Sequence, residues 1–369
     1  MRVWKTAALG GITLLVTLSG TVLVDEPAYS HAVAGNPSAA SNTAACTRPF
    51  TVVQTSAIDV AGNVVANRAL AGHATEYTYT TGTGDDIREI APPEGWSPLR
   101  ATDAELGAYG FPPRPVDAQG RAAWEKTMAG WKRAGRPEMC GTDVQATVTH
   151  TEQTSNWAGG MAVNGSATIS TFTTAEGRWY QPSFSSYCGL YGTSYGIWSG
   201  LGGFNQNRLI QSGVDNSGLD LNSSQMFWEM INPKYDTHEV RWTDVTVPAN
   251  HQVQSYVTYS GGEASMWVAD LTDGVSHAIV VTTIQNYLAS SFYDGTTAEF
   301  ITEPATVSGT TLPLSRPVGD QTTYYYATVN GQPIANFSSW RLHQGLGGWI
   351  QLSGFDGIHA WNDFWRHCT

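Results

Sequence analysis

The sequence predicts an all-β protein: an antiparallel β-sandwich of two sheets, preceded by a small mixed α/β segment. Two observations lead to it. From about Thr149 onward, short runs of alternating or β-branched residues succeed one another, and Asn164-Gly165, Asp273-Gly274, Asp294-Gly295 and Asn330-Gly331 stand between such runs as tight hairpin turns. Over the same region no segment keeps a helical period, and no repeat of about 20–50 residues announces a propeller or solenoid.

The chain opens with "MRVWK", then the apolar, small-residue run "TAALGGITLLVTLSGTVLV", then "AVAG" at Ala32–Gly35, which offers a cleavage site after Ala34. Residues 1–34 are therefore expected to be a secretory signal peptide. The apolar run is about long enough to cross a bilayer, so an uncleaved anchor is the competing reading. No later stretch is long and apolar enough to span, and the mature chain is expected to be a soluble, secreted monomer without stable membrane association. Nineteen Lys and Arg face 31 Asp and Glu, a net charge of −12, and Lys234 is the only lysine after Lys132. That balance argues against nucleic acid as a partner, since the sequence shows no basic patch with which to neutralise phosphates. Cys46, Cys140, Cys188 and Cys368 in an exported chain read as two disulfides, and Cys46–Cys140 with Cys188–Cys368 keeps each bridge within one unit.

Composition changes near residue 145, dividing the mature chain into an N-terminal segment, 35–145, and a sandwich, 146–369. In the first, Gly35–Ala45 is Ala/Asn/Ser-rich, and "FTVVQTSAIDVAGNVVANRALAG" reads as one or two strands. Thr102 and Glu105 form a capping box ahead of Pro112-Pro113. A second helix is expected from Asp117 to Ala134, with Trp124, Met128 and Trp131 on one packing face and Gly135 as its cap. In the sandwich, "QMFWEM" places Gln225, Phe227 and Glu229 on one face and Met226, Trp228 and Met230 on the other. "LIQSGVD" likewise places Leu209, Gln211, Gly213 and Asp215 opposite Ile210, Ser212 and Val214.

The familiar catalytic signatures are weak. Gly192-Thr-Ser-Tyr-Gly196 matches G-x-S-x-G, but a strand follows where a nucleophile elbow needs a helix, so Ser194 reads as a loop residue. There is no H-E-x-x-H, and His238, His251 and His277 read as surface or turn histidines. No metal or cofactor is expected. The strands do carry Glu, Gln and aromatic residues that could line one concave face, Trp198 among them.

Five short motifs occur in a telling order: "TSNWAGG" (Thr154–Gly160), "IWSGLGG", "LIQSGVD", "FWEM" and "TAEFITEPA". Together they resemble the glutamic peptidases, or eqolisins, from about Ser155 to Thr306 and more weakly through "ATVNGQPI". "LGAYGFPPRP" is similar to the segment upstream of bacterial members. The resemblance implies two curved antiparallel sheets of the concanavalin A-like, lectin and glucanase type. It implies a catalytic pair, Gln211 and Glu299, supported by Asp215 and Glu229, with Trp198 in the cleft. Gly202 stands where fungal members have an aspartate, and Phe227 where they have a tryptophan. The activity implied is an endopeptidase acting on polypeptides in acid, with Glu299 as general base and Gln211 stabilising the oxyanion. By the same analogy residues 35–145 would be a pro-segment; a permanent N-terminal domain is the alternative. The competing functions on such a sandwich are a glycosidase, using Glu229 with Glu299 or Glu299 with Glu303, and a lectin-like binding module.

Overall fold

The computed structural model describes residues 48–80, 86–116, 118–133, 138–141, 144–145, 153–154, 157–164, 171–186, 194–204, 208–217, 223–232, 235–282, 293–307, 310–311, 314–318, 321–344, 350–352 and 361–365. Residues 1–34, with the expected signal peptide and its cleavage site, lie outside them, as do Cys46, Cys188 and Cys368. Cys140 carries no free thiol, but the expected pairings fall on cysteines outside the described residues. Among the described residues no helix is long and apolar enough to cross a membrane.

Two antiparallel sheets face each other, as the hairpin pattern predicts. Six strands of the first carry the candidate site: β1 (Ala158–Val163), β2 (Ser194–Gly202), β3 (Leu209–Ser217), β4 (Ser223–Asn232), β5 (Val240–Pro248) and β6 (Thr297–Glu303). Their order across the sheet is β5-β4-β3-β2-β6-β1, with Met139–Gly141 and Arg48–Pro49 added beyond β5 and Ser338–Gln344 beyond β1. The second sheet runs Ile350–Leu352, Trp361–Trp365, Gln321–Val329, Thr174–Tyr180, Gln252–Ser260, Glu263–Asp270, Val275–Thr282, Asp86–Ala91, Ala74–Thr80, Thr51–Ile58, Val64–Ala66.

Alternation along each strand separates two environments. Ile210 and Val214 of β3, and Met226, Trp228 and Met230 of β4, point between the sheets and meet Val257, Met266, Val268 and Ile279 of the second sheet. Ser212 points the same way and is satisfied across the gap, its Oγ lying 2.9 Å from Ser255 Oγ. The opposite face of β3 and β4 carries Gln211, Asp215 and Glu229, as their period-2 placement requires. The turn at Asp273-Gly274 joins two strands as expected, with Gly274 at φ 72°. Asn330-Gly331, at φ 51° and 70°, does the same for Gln321–Val329 and the short strand that follows. Gly261-Gly262 makes one more hairpin of this kind, at φ 63° and 87°.

The capping box forms: Thr102 Oγ1 accepts from Glu105 N–H at 3.1 Å, and Glu105 Oε2 accepts from Thr102 N–H at 2.6 Å, opening α1 (Asp103–Ala108). The second helix, α2 (Ala118–Ala129), stops five residues short of the expected end. Trp131 thus leaves the helix, and its Nε1 donates to Ser276 Oγ at 2.8 Å. Trp124 and Met128 keep the expected packing face, set with Leu106 and Phe111 against Trp267 and Ala278 on the outer side of the second sheet, and Trp131 packs on the same cluster from beyond the helix end.

The residues before 146 are woven into both sheets. Asp86–Ala91 pairs with Val275–Thr282, and Met139–Gly141 pairs with β5. A buried polar cluster joins them further. His277 sits with Nδ1 2.7 Å from Glu89 Oε1 and Nε2 3.2 Å from Asp244 Oδ2. Its ring stacks on Trp242 (5.3 Å, 10°), whose Nε1 donates to Glu89 Oε2 at 3.0 Å. The expectation of a surface or turn histidine is therefore wrong for His277, because three strands from two sheets close over it. Burial pulls its pKa down, but the Glu89 carboxylate and Asp244 outweigh this and raise it to about 9. Removing Glu89 leaves a buried imidazole and an indole N–H short of an acceptor. Glu89→Ala is expected to cost about 3–5 kcal/mol, read as a lower midpoint in denaturant unfolding.

Candidate active site

β2 is the axis of the site. On the face turned away from the second sheet it presents Gly196, Trp198, Gly200 and Gly202, so Trp198 is its one large side chain there. Pairing then dictates what flanks those glycines. Gly200 is opposite Gln211 of β3 on one side and Glu299 of β6 on the other. Gly196 is flanked in the same manner by Asp215 and Glu303. Directly paired residues share a face, so Gln211 and Glu299 project from one surface, two strand spacings apart, about 9.5 Å between backbones.

The glycines here answer to space. A Cβ on Gly200 would lie 2.9 Å from Trp198 Cζ3 and 3.0 Å from the Ile210 carbonyl oxygen. A Cβ on Gly213, paired with Trp198, would lie 2.7 Å from the Trp198 Cβ. Backbone-only positions let the indole lie down along the strand, its six-membered edge over Gly200. Its Nε1 donates to Glu303 Oε1 at 2.7 Å, and Trp157 packs against it edge-on at 4.9 Å.

Several polar groups of this face have identifiable orienting partners. Gln211 Nε2 donates to Glu229 Oε2 at 2.6 Å, across the β3–β4 pairing of these two residues. Asp215 Oδ2 accepts from Arg241 Nη2 at 2.6 Å, and Arg241 Nε donates to Glu239. Gln211 Oε1 and both oxygens of Glu299 have no hydrogen-bond partner among the described residues. The side chain of Thr297 and the N–H groups of Phe204 and Gly202 lie near enough to favour the Glu299 carboxylate, without reaching hydrogen-bond geometry. Gln211 is 1% exposed and Glu299 0%. Around them Trp157, Met161, Phe204, Leu209, Phe227 and Ile301 form an apolar cluster with Trp198. Burial in it pushes the Glu299 carboxyl well above the ordinary range, against those weaker donors.

The sequence-predicted residues thus converge: Gln211, Glu299, Trp198, Asp215, Phe227 and Glu229 all lie on one face. Arg241 and Glu239 were missed. They lie on and just before β5, and Arg241 comes opposite Phe227 only through the β4–β5 pairing, which nothing local in the sequence signals. One positive charge there faces two carboxyls, and burial raises Glu239 to about 8 despite Arg241 beside it. Ser194 is not a loop residue: it begins β2, and its Oγ accepts from Ala305 N–H at 2.5 Å. His251, Asp270 and Asp273 offer three ligand-type atoms within 4.8 Å, but Asp270 already accepts from His251 (2.7 Å) and from the N–H of Thr272 (2.9 Å) and Asp273 (3.1 Å), which closes the turn.

No known family model matches the sequence, and no curated protein matches it. Among solved structures, the chain is similar to scytalido-glutamic peptidase. One crystal structure, with a peptide-based transition-state analogue, shares 18% identity at a TM-score of 0.44. A second, with a transition-state analogue inhibitor, shares 17% at 0.47. A third, SCP-B of the eqolisin family in complex with the tripeptide Ala-Ile-His, shares 16% at 0.42. Each covers 57% of this chain and 98% of its own. All three neighbours are peptidases.

The titrations around the site share one sign. Burial raises Glu303 to about 8, opposed by the Trp198 hydrogen bond and the nearby Trp157 N–H, and burial likewise raises Glu239 to about 8 against Arg241. A carboxyl whose folded pKa exceeds its unfolded value favours folding fully below the unfolded pKa, and that contribution is lost as pH rises toward the folded one. For Glu239 and Glu303 the window runs from 4.5 to about 8; for His277 it runs from 6.5 to about 9, in the same direction. Thermal unfolding is expected to show Tm at pH 4.5 exceeding that at pH 8 by about 5–10 °C. Glu303→Gln should flatten part of that slope.

Proposed function

We propose that this chain is a glutamic peptidase of the eqolisin kind, an extracellular endopeptidase that hydrolyses polypeptides in acid. The observation that carries the reading is the register of Gln211 and Glu299 on either side of Gly200, buried, with unpartnered oxygens directed from one face. Glu229 holds one Nε2–H of Gln211, so the second Nε2–H is left for an oxyanion and Oε1 for a water. Glu299 takes a proton from that water while its oxygen attacks the scissile carbonyl carbon. The carbonyl oxygen becomes the oxyanion, and Gln211 donates to it at any acid pH because an amide does not titrate there. Glu299 then returns the proton to the leaving nitrogen as the C–N bond breaks.

An ordinary glutamate would be ionised above about pH 4.3. The dry apolar surroundings of Glu299 keep it protonated well above that, and admitting water to the pair lowers the cost of the charge. The base form therefore appears together with the water it activates. The ascending acid limb of the kcat profile is expected above pH 4.5, while the stability trend limits the enzyme at neutral pH.

A glycosidase needs two carboxyls about 5–5.5 Å apart for retention or 6.5–9.5 Å for inversion. The two candidate pairs are Glu229 with Glu299 and Glu299 with Glu303, and in the second Glu303 is committed to the Trp198 N–H. Glu229 is moreover committed to Gln211. The decisive assay is proteolysis of an unfolded protein between about pH 2 and pH 6. Gln211→Ala is expected to lose about 10²–10³ in kcat, the usual worth of one oxyanion donor, and Glu299→Gln to be at least as impaired. Near-wild-type turnover in either variant would sink the mechanism.

Export through residues 1–34 and oxidised cysteines fit the same reading. Residues 48–141 are retained in the active enzyme rather than removed as a pro-segment. Their loss would take one neighbouring strand from each of Val275–Thr282 and β5, strip Trp267, Ala278 and Val280 of their cover, and leave His277 without Glu89. N-terminal sequencing and intact mass of acid-incubated, active protein should find these residues present. An active species starting after Gly141 would show the segment to be removable.

A further inference from the structure

The Trp198 indole is fixed at both ends and lies over the residue that separates the proposed catalytic pair. One end is its Nε1, held at 2.7 Å by Glu303 Oε1. The other end reaches back over Gly200, where an added Cβ would stand 2.9 Å from Cζ3. Gly200 is the register partner of both Gln211 and Glu299. Glu303 is therefore tied to the pair through one rigid ring. It sits on β6 four residues beyond Glu299 and on the same face, across Gly196 from Asp215.

We propose that Glu303 is a positioning residue for the Gln211–Glu299 pair: by anchoring the Trp198 indole over Gly200 it sets how dry the gap between the two is. The proposal rests on the peptidase reading. A ring that cannot slide keeps the apolar cluster of Trp157, Met161 and Leu209 closed around the Glu299 carboxyl. Freed from its anchor, the indole tilts, water enters, and Glu299 ionises more easily but loses its raised basicity. The anchor needs an acceptor oxygen and no charge. The groups that face Glu303 are the Trp198 and Trp157 N–H donors, which favour its ionised form, and Glu239, which opposes it. Asp215 lies across Gly196 with its own carboxylate held by Arg241. With Glu303 raised to about 8, a neutral carboxyl does the anchoring in acid.

The test compares Glu303→Leu, which removes the acceptor at similar volume, with Glu303→Gln, which keeps a carbonyl oxygen. In the full chain, Glu303→Leu is expected to lower kcat by at least about tenfold with a smaller change in KM. It should also move the Glu299 limb of the pH–rate profile toward acid. Glu303→Gln should recover both at acid pH. The second readout is the Trp198 indole N–H resonance, identified by its loss in Trp198→Phe. In the wild type it should titrate near pH 8, it should be flat in Glu303→Gln, and it should lie upfield in Glu303→Leu. A Glu303→Leu protein with an unmoved indole resonance and a wild-type pH profile overturns the proposal, as does equal loss in both variants with an unchanged profile. A wild type that cleaves no peptide refutes the peptidase reading instead, and the indole resonance still judges the anchor.

Discussion

The constraint on which the candidate site depends is that β2 gives its site face almost entirely to backbone. With glycine at 196, 200 and 202, the strand cannot fill the space above itself, and residues of β3 and β6 flank it in matched pairs. Trp198 is the exception, and it lies flat because Gly213 beside it has no Cβ. A larger residue at 200 would collide with the indole and with the carbonyl of Ile210. The pair Gln211/Glu299 is thus produced by an absence of side chains as much as by the residues themselves.

Such a site is costly. A buried carboxyl loses its hydration, and the weak donors near Glu299 offset only part of that loss, which its raised pKa expresses. Arg241 and Glu239, and Glu303 against Trp198, repeat the pattern with partners supplied. Folding tolerates this because the other face of the same strands is mostly apolar, with Ser212 satisfied by Ser255, and is closed by the second sheet. Two faces of one sheet divide the work, stability on one and chemistry on the other, and period-2 alternation keeps them apart.

The segment before residue 146 belongs to this balance. Its strands extend both sheets, and Glu89 meets His277 and Trp242 in a cluster drawn from both layers. The helices α1 and α2 cover the outer surface of the second sheet with Leu106, Trp124 and Met128. The charge chemistry there runs in the same direction as at the site: His277 is held protonated by its neighbours, and acid preserves that state.

Much was legible before any fold was known. Alternation in "LIQSGVD" and "QMFWEM" assigned Gln211 and Glu229 to the face opposite Ile210 and Trp228, because side-chain direction in a strand follows parity alone. The Asp273-Gly274 and Asn330-Gly331 turns and the Thr102–Glu105 capping box were likewise local, set by backbone sterics and hydrogen bonds within four residues. Strand neighbours were not. That Gly200 stands between Gln211 and Glu299, that Arg241 comes opposite Phe227, and that His277 lies between Glu89 and Asp244 all depend on pairing between residues far apart in sequence. The end of α2 belongs with these, since Trp131 lies beyond the helix and bonds Ser276 while still packing on the same cluster. What the sequence determined by itself was which face each residue would occupy; which residues would meet on that face was decided by register, a property of the assembled sheets.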